Sequence, residues 1–507
     1  MNFLYALIDR IDDRLNPIVV KEFRQAVQGR FISSVLILFL LVQLAAIALT
    51  IIDRGFINQS FQAGRDAFTT LMVLLMITTM VIIPIYAGIR IAGERSDVNL
   101  DLLFITTIKP SAIVRGKLFA SFGLALLIYS ACAPFMTFTY LLRGIDLPSI
   151  FLVLGVSLFA VLVNLQIALF LGCLPASNIF KYLLLPVGLI FFFQNFGITM
   201  ALVSDLLRHG IGGRLSTGDF WGGLFLGGTS VLMLVFMLFT MTSTILTPPA
   251  SNRAFPVRLA VSLSWLIIGV AVFLFSAMIG NVTAIDGWGV ISIVVFALAL
   301  LAGVSERDEP GVRVRRGIPQ GRLRWFFSFL FFSGSANGVA WALVMIFLTL
   351  VGGTVASDFI TPGKFLNPYA GGETFVELMG FVAYCYCFAL SAMLLQRTLL
   401  KNMFDRSVTW VIVLFLAAIG GTIGPLIGYV FFQSDGYAWM LLNPTMIADR
   451  SHRDMVLAFL VPWTIITTLL ALPWFSRQLA QFKPFDPETE GMRNRRVLAV
   501  PEDIMPT

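Results

Sequence analysis

The chain has 507 residues, of which 58% are hydrophobic and only 12% are charged, and its mean hydropathy is +0.88. A soluble globular protein carries about 25% charged residues. The composition therefore excludes a soluble fold and indicates an integral membrane protein. The net charge of +7 is explained by basic residues beside the membrane and gives no reason to expect nucleic acid as a partner.

Twelve apolar segments are long enough to cross a bilayer, which needs about 20 residues of helix. The sequence thus predicts an all-α, polytopic transmembrane bundle of two six-span halves. The first six predicted spans are Phe31–Ile52, Ala67–Ala92, Leu118–Leu141, Ser149–Cys173, Tyr182–Val203 and Trp221–Leu246. The second six are Leu259–Gly280, Trp288–Val304, Trp325–Val351, Phe375–Gln396, Val408–Phe432 and Met455–Phe475.

The spans divide the chain into five predicted regions. Residues 1–30 form an N-terminal interfacial region, residues 31–246 the first half, residues 247–258 a linker, residues 259–476 the second half and residues 477–507 a tail. With the N-terminus inside, 27 of the 35 lysines and arginines lie on the inner side and 8 on the outer side. Cytoplasmic connections retain basic residues. We therefore expect both termini in the cytoplasm and the chain in a bacterial inner membrane.

Several kinds of chemistry are not indicated by the sequence. The ionisable residues fall in connections or at span ends, so no coupling-ion site at membrane depth is expected. The pairs Gly116-Lys117 and Gly363-Lys364 lack the first glycine and the Ser/Thr of a phosphate-binding loop. Neither histidine has metal-ligand spacing, and the four cysteines lie in apolar spans. We expect no metal site, no cofactor and no enzymatic activity in this chain.

The segment before the first span has the pattern of an amphipathic interfacial helix. Asn16 can cap a helix and Pro17 suits its first turn. Apolar residues then recur near helical spacing, and polar residues fill the other face. A basic anchor that only fixes topology is an equally weighted alternative. The apolar set is Val19, Val20, Phe23 and Val27, and the polar set is Lys21, Glu22, Arg24, Gln25, Gln28 and Arg30.

The inner connection at residues 93–117 has charged ends and an apolar middle, which membrane or a partner protein must cover. This segment resembles the loop of ABC-2 type ATP-binding cassette permeases, which runs Glu-Arg, Leu-Glu-Leu-Leu, Thr-Pro and Ile-x-x-Gly-Lys. The helix at Asn16–Gln25 is also similar to the one with which many of these permeases begin. Val98 and Thr107 depart from the pattern, which affects the expected bend of the loop. The matching residues are Glu94, Arg95, Leu100, Asp101, Leu102, Leu103, Thr106, Ile113, Gly116 and Lys117.

The resemblance covers about a quarter of the chain. It implies that the loop contains a coupling helix that docks into a separate cytosolic ATPase, which would hold ATP and Mg²⁺. On this interpretation the chain is the permease subunit of an exporter and ATP hydrolysis occurs on the partner. The sequence leaves open the substrate and whether a second permease chain completes the pathway. A secondary carrier and a non-transporting membrane scaffold are the alternatives.

Two features of the second half have counterparts in the first. The inner connection that starts at Ser305 begins with Glu306-Arg307 but lacks the Leu-Leu core, so it is either a degenerate copy of the loop or a basic segment that contacts anionic lipid. The outer connections at 205–209 and 437–444 both mix apolar and polar residues. By position, they resemble the short outer or re-entrant helices of the same permeases.

Overall fold

The computed structural model describes residues 17–54, 61–94, 109–141, 145–174, 178–209, 217–248, 250–306, 311–362, 365, 373–401, 403, 406–432 and 440–484. Of these residues 88% are helical and none is in a strand. Twelve of their helices are long and apolar enough to cross a membrane. The prediction of an all-α polytopic bundle is confirmed.

The helices follow the predicted spans closely. The first part of the chain contains α1 (Pro17–Gln28), α2 (Arg30–Arg54), α3 (Phe61–Ile77), a π-helical segment (Thr78–Ile82), α4 (Ile83–Glu94), α5 (Pro110–Leu141), α6 (Leu147–Cys173), α7 (Asn178–His209) and α8 (Gly218–Ile245). The second contains α9 (Ala254–Ile279), α10 (Thr283–Gly303), α11 (Val312–Arg315), α12 (Arg322–Phe331), α13 (Ser335–Ile360), α14 (Glu373–Thr398), a 3₁₀ turn (Arg406–Val408), α15 (Thr409–Ala418), a second π-helical segment (Ile419–Ile423), α16 (Gly424–Phe432), a 3₁₀ helix (Pro444–Ala448) and α17 (Arg453–Gln481).

Several predicted boundaries differ from the structure. The predicted ninth span, Trp325–Val351, is two helices, because the chain breaks around Gly334, whose φ is +156°, and the long helix begins at Ser335. The predicted linker already contains the start of α9, and the predicted tail contains the end of α17. Residues 205–209, predicted as an outer connection, belong to the last turns of α7, where Leu206 and Leu207 are buried, so they do not form a separate short helix.

The chain folds into two compact units. The first comprises the described residues up to Pro248 together with Leu263–Ile279, and the second comprises Pro249–Ser262 and the described residues from Gly280 onward. The first turns of α9 therefore belong to the second unit, and the remainder of the helix belongs to the first.

In the first unit, α6 is the central helix and packs against α4, α5, α7 and α8. Its contact with α4 depends on small residues. A Cβ atom added to Gly172 would lie 2.5 Å from the Gly88 carbonyl oxygen, so the two backbones approach closely only because both positions are glycine. Gln166 donates to Thr242 of α8 at 3.1 Å, which pairs two polar side chains inside an apolar core.

A proline follows each π-helical segment after one intervening residue. A proline lacks the N–H that would bond the carbonyl four residues earlier. For Pro84 that carbonyl belongs to Met80, and it accepts from Asn164 Nδ2 at 2.7 Å. For Pro425 it belongs to Gly421, and it accepts from Asn443 Nδ2 at 3.4 Å. In both units an asparagine from another element thus supplies the donor that the helix lacks.

In the second unit, α10 packs along α13 and α14, and α14 packs against α15 and α17. The backbones of α10 and α13 approach closely at Gly303 and Gly338, since a Cβ atom on Gly338 would lie 2.7 Å from the Gly303 Cα. Phe296 of α10 and Trp341 of α13 meet edge to face with ring centroids 5.5 Å apart.

Candidate partner-docking site

Helix α1 lies against α5 through a small-residue contact. Pro17 opens the helix, as the sequence predicted, and the ring of Phe23 covers Gly123 of α5. A Cβ atom on Gly123 would lie 2.9 Å from Phe23 Cε2, so the glycine sets how near the helices come. Ala26 is 2% exposed and completes the contact face.

The predicted division of α1 into an apolar and a polar face is wrong at two positions. Glu22, assigned to the polar face, is buried, and Val27, assigned to the apolar face, is 40% exposed. Lys21 and Arg24 are exposed as expected. The reason is electrostatic, because Glu22 pairs with Lys117 of α5 and Arg90 of α4. The spacing of residues within α1 could not indicate these partners.

Lys117 of α5 is the centre of these interactions. Its Nζ donates to Glu22 Oε1 at 2.9 Å and lies 2.6 Å from Glu94 Oε2, the carboxylate at the end of α4. The side chains of Lys117 and Glu22 are 5% and 8% exposed, whereas that of Glu94 is 49% exposed. A buried ammonium is tolerated only when it is paired and hydrogen-bonded, and here two carboxylates serve it.

Arg90 of α4 completes what we call the ionic cluster, the four side chains Glu22, Arg90, Glu94 and Lys117. Its Nη2 lies 3.3 Å from Glu22 Oε2 and donates to Gln25 Oε1 at 2.9 Å. Its Nη1 donates to the Tyr86 hydroxyl at 3.2 Å. Two acidic and two basic groups therefore balance, and Glu22 is held by both cations at once.

The ionic cluster joins the two ends of the predicted docking loop, residues 93–117. Glu94 is the last residue of α4, and Lys117 lies in the third turn of α5. Among the other predicted loop residues, Gly116 is buried and Ile113 is partly buried. The remaining predicted residues lie outside the described part of the chain: Arg95, Leu100, Asp101, Leu102, Leu103, Thr106 and, before α1, Asn16.

The second unit has a related arrangement around Glu306, which follows α10 as Glu94 ends α4. Arg258 of α9, 4% exposed, has its Nη2 2.5 Å from Glu306 Oε1. Arg258 Nη1 also donates to the Leu330 and Phe332 carbonyls at 2.8 and 2.7 Å. The Gly334 N–H donates to Glu306 Oε2 at 2.8 Å. This arginine hub, Arg258 with Glu306, therefore holds the break between α12 and α13.

The described segment before α17, residues 440–452, folds back onto α14. The Tyr384 hydroxyl of α14 donates to the Leu441 carbonyl at 2.6 Å, and Ile447 packs over Gly380. Asp449 follows the 3₁₀ helix, and hydrogen bonds from Ser451 and then His452 lower the pKa of its carboxyl to about 2. The carboxylate is therefore ionised throughout the physiological range.

An apolar cavity of about 630 Å³ lies beneath this segment in the second unit. Its size is within the range of pockets that hold small molecules. Ser391 contributes a polar atom to the wall, and its hydroxyl accepts from Trp463 Nε1 at 3.2 Å. The other walls are apolar: Phe388, Leu416, Ile419, Gly420, Leu442, Ala458, Phe459, Pro462 and Ile466.

Comparison with protein-family models, with curated proteins and with solved structures returns no match for this chain. Within the part of the chain that the structure describes, no group of three or more His, Cys, Asp or Glu side chains is placed to hold a metal ion.

Sequence reasoning found Glu94, Lys117 and Glu22 but missed the residues that join them. Arg90 was not singled out, Gln25 was named only as part of the polar face of α1, and Arg258 was assigned to a linker. A usable signal existed for Arg258, because a single charge five residues into an otherwise apolar helix requires a partner. No spacing rule connects Glu22 with Lys117, which are 95 residues apart.

Proposed function

We propose that this chain is the membrane-spanning permease subunit of an ABC-2 type exporter and docks a separate ATPase through the inner loop at residues 93–117. The ATPase would bind ATP and Mg²⁺, and this chain would form the pathway. The motif in the loop supports the proposal, and so does the interfacial helix that precedes the first span.

The observation that carries the proposal is the ionic cluster. Lys117 is paired with Glu22 on α1 and with Glu94 on α4, so both ends of the loop and the interfacial helix share one buried lysine. A displacement of the loop ends would therefore pull on α1, α4 and α5 together. A docking loop that transmits movement needs its ends attached to the helices in this way, because a loop with loose ends would deform without moving the spans.

The docking step is tested by co-expressing the chain with a separate ATP-binding cassette ATPase subunit and measuring copurification. Leu102→Asp together with Leu103→Asp should abolish copurification and leave membrane insertion intact, since two carboxylates cannot enter an apolar groove. These changes are preferable to charge reversal at Glu94, which would also leave Lys117 without one of its partners. Leu399→Asp, at an exposed leucine of another inner connection, is the matched control. Persistent association of the double variant would refute docking through this loop.

The energy source is tested by transport in proteoliposomes. The proposal predicts uptake or release of solute that requires the ATPase and ATP and that an ionophore does not collapse. A carrier would show the opposite dependence. Solute movement by the purified chain alone, with no nucleotide present, would refute the proposal.

A further inference from the structure

Helix α12 contacts the second unit through the face that carries Trp325 and Phe329 and through its last turn, where Leu330 is buried. Trp325 Nε1 donates to the Phe482 carbonyl at 2.9 Å, and its ring lies near those of Phe329 and Phe482. Val314, Ile318 and Phe332 complete this aromatic contact. Phe482 directly follows α17, and the long span α13 starts four residues after α12 ends, so α12 is held at the inner ends of two predicted membrane spans.

The opposite face of α12 is apolar and uncovered. Leu323 is 73% exposed, Phe326 55% and Phe327 54%. Large apolar side chains that cluster on one exposed helix face mark a surface that meets membrane or another molecule. Because α12 directly precedes a membrane span, acyl chains are the apolar medium nearest to it.

The same segment carries a strong positive charge. Residues 311–332 contain five arginines and no Asp, Glu or Lys. Arg313, Arg322 and Arg324 are exposed, and Arg322 and Arg324 flank Leu323 on α12. A helix with apolar residues beside arginines has the chemistry of one that lies in the headgroup region of an anionic bilayer. Guanidinium groups also bind phosphate in two-point fashion, which favours lipid headgroups over a neutral protein surface.

We propose that α12 is a binding site for anionic phospholipids, with Arg322 and Arg324 on the headgroup phosphates and Leu323, Phe326 and Phe327 among the acyl chains. The site is independent of the exporter proposal, because it requires neither an ATPase nor transport. It assigns a lipid partner to the inner connection of the second half, where the first half carries the docking loop.

The test measures which lipid surrounds α12 in the full chain reconstituted in nanodiscs. Gln320→Cys places a fluorophore at an exposed position just before the helix, and the native Cys132, Cys173, Cys385 and Cys387 are buried. Brominated phosphatidylglycerol and brominated phosphatidylcholine are compared as quenchers at equal mole fraction. We expect several-fold stronger quenching by phosphatidylglycerol, since each basic residue near an anionic surface contributes about fivefold to association.

Two variants separate charge from fold. Arg322→Gln with Arg324→Gln should bring the two lipids to equal quenching, and Arg322→Lys with Arg324→Lys should retain most of the preference. Raising NaCl to about 0.5 M should reduce the preference in the unchanged sequence. Equal quenching by both lipids in the labelled protein that keeps Arg322 and Arg324 would overturn the proposal. The same result is expected if a second copy of the chain or another protein covers α12. A preference that persists in the Gln variant would overturn the role of the two arginines. The comparison in the unchanged sequence decides the matter even if a variant fails to fold.

Discussion

The ionic cluster of the first unit and the arginine hub of the second use a glutamate at the same place in each half for different purposes. Glu94 ends α4 and pairs with a lysine side chain, and it is half exposed. Glu306 follows α10, and it binds both Arg258 and the Gly334 N–H. In the described part of the chain, Glu94 pairs with the Lys117 side chain, whereas Glu306 binds a side chain and also a backbone N–H.

The difference follows from the cations. The ammonium of Lys117 is a compact point charge that can bridge two carboxylates from two helices. The guanidinium of Arg258 is a planar fork, so it satisfies Glu306 and two backbone carbonyls at once. Arg258 therefore holds the backbone at the break before α13, whereas Lys117 joins side chains of α1 and α4 to α5.

The largest effect is expected from Arg258→Ala. The change would leave the Glu306 carboxylate and the Leu330 and Phe332 carbonyls without their partner, and breaking a buried ion pair costs about 3–5 kcal/mol. The free energy of unfolding of the purified protein, measured by denaturant titration in mixed micelles, should fall by that amount. Arg313→Ala, at an exposed arginine, is the control and should change it by less than about 0.5 kcal/mol. Equal losses for both variants would show that the hub does not hold the break.

Lys117→Met should destabilise the protein less, by about 2–3 kcal/mol, in the same titration. Glu94 is half exposed and can be hydrated, and Glu22 still pairs with Arg90. The carboxylates that lose Lys117 are therefore better compensated than the groups that lose Arg258 in the second unit. Adding Glu22→Gln to Lys117→Met should recover part of the loss, because it removes the buried carboxylate that lacks its lysine. A double variant as unstable as the sum of the single ones would contradict a direct pairing of Glu22 with Lys117.

The sequence was sufficient to predict the membrane bundle, because each span is a long apolar window whose helix must satisfy its own backbone in lipid. It could not place the break before Ser335. Trp325 to Val351 is apolar almost throughout, and hydropathy gives no sign of where a helix stops inside such a run. The glycine at 334 was the available signal, since its left-handed φ ends α12 and begins α13.

The candidate site was predicted only in part, for a different reason. Glu94 and Lys117 came from a local motif, but their mutual contact and the contact with Glu22 join residues from three helices. Local spacing assigned Glu22 to the polar face of α1, and the cations of α4 and α5 reversed that assignment. Long-range charge pairing is fixed by tertiary packing, and a single sequence does not reveal it.

Alanine at a close helix contact should also destabilise the second unit more than the first. A Cβ atom on Gly338 would meet the Gly303 Cα at 2.7 Å and Arg258 Nη2 at 2.9 Å. Overpacking against a backbone that cannot move costs about 1–3 kcal/mol, so Gly338→Ala should lower the free energy of unfolding by that amount. Gly123→Ala meets only the edge of the Phe23 ring, which can turn, and should cost less than about 1 kcal/mol. A greater loss for Gly123→Ala would mean that α1 is held as rigidly as α13.

The smallest effect is expected from Arg90→Gln, and its salt dependence sharpens the comparison most. Arg90 lies 3.3 Å from Glu22 and is 25% exposed, so solvent screens the pair and its removal should cost only about 0.5–1 kcal/mol. That loss should shrink as NaCl rises towards 1 M, because salt screens accessible charges and reaches buried ones poorly. The loss caused by Lys117→Met should change little over the same range, since the Lys117 side chain is 5% exposed. Arg24→Gln on the exposed face of α1 is the matched control and should be neutral at every salt concentration. If the stability losses caused by Arg90→Gln and Lys117→Met instead both shrank as salt rises, the cluster would be a hydrated surface network. Lys117 could then not be the buried anchor that joins the two ends of the loop.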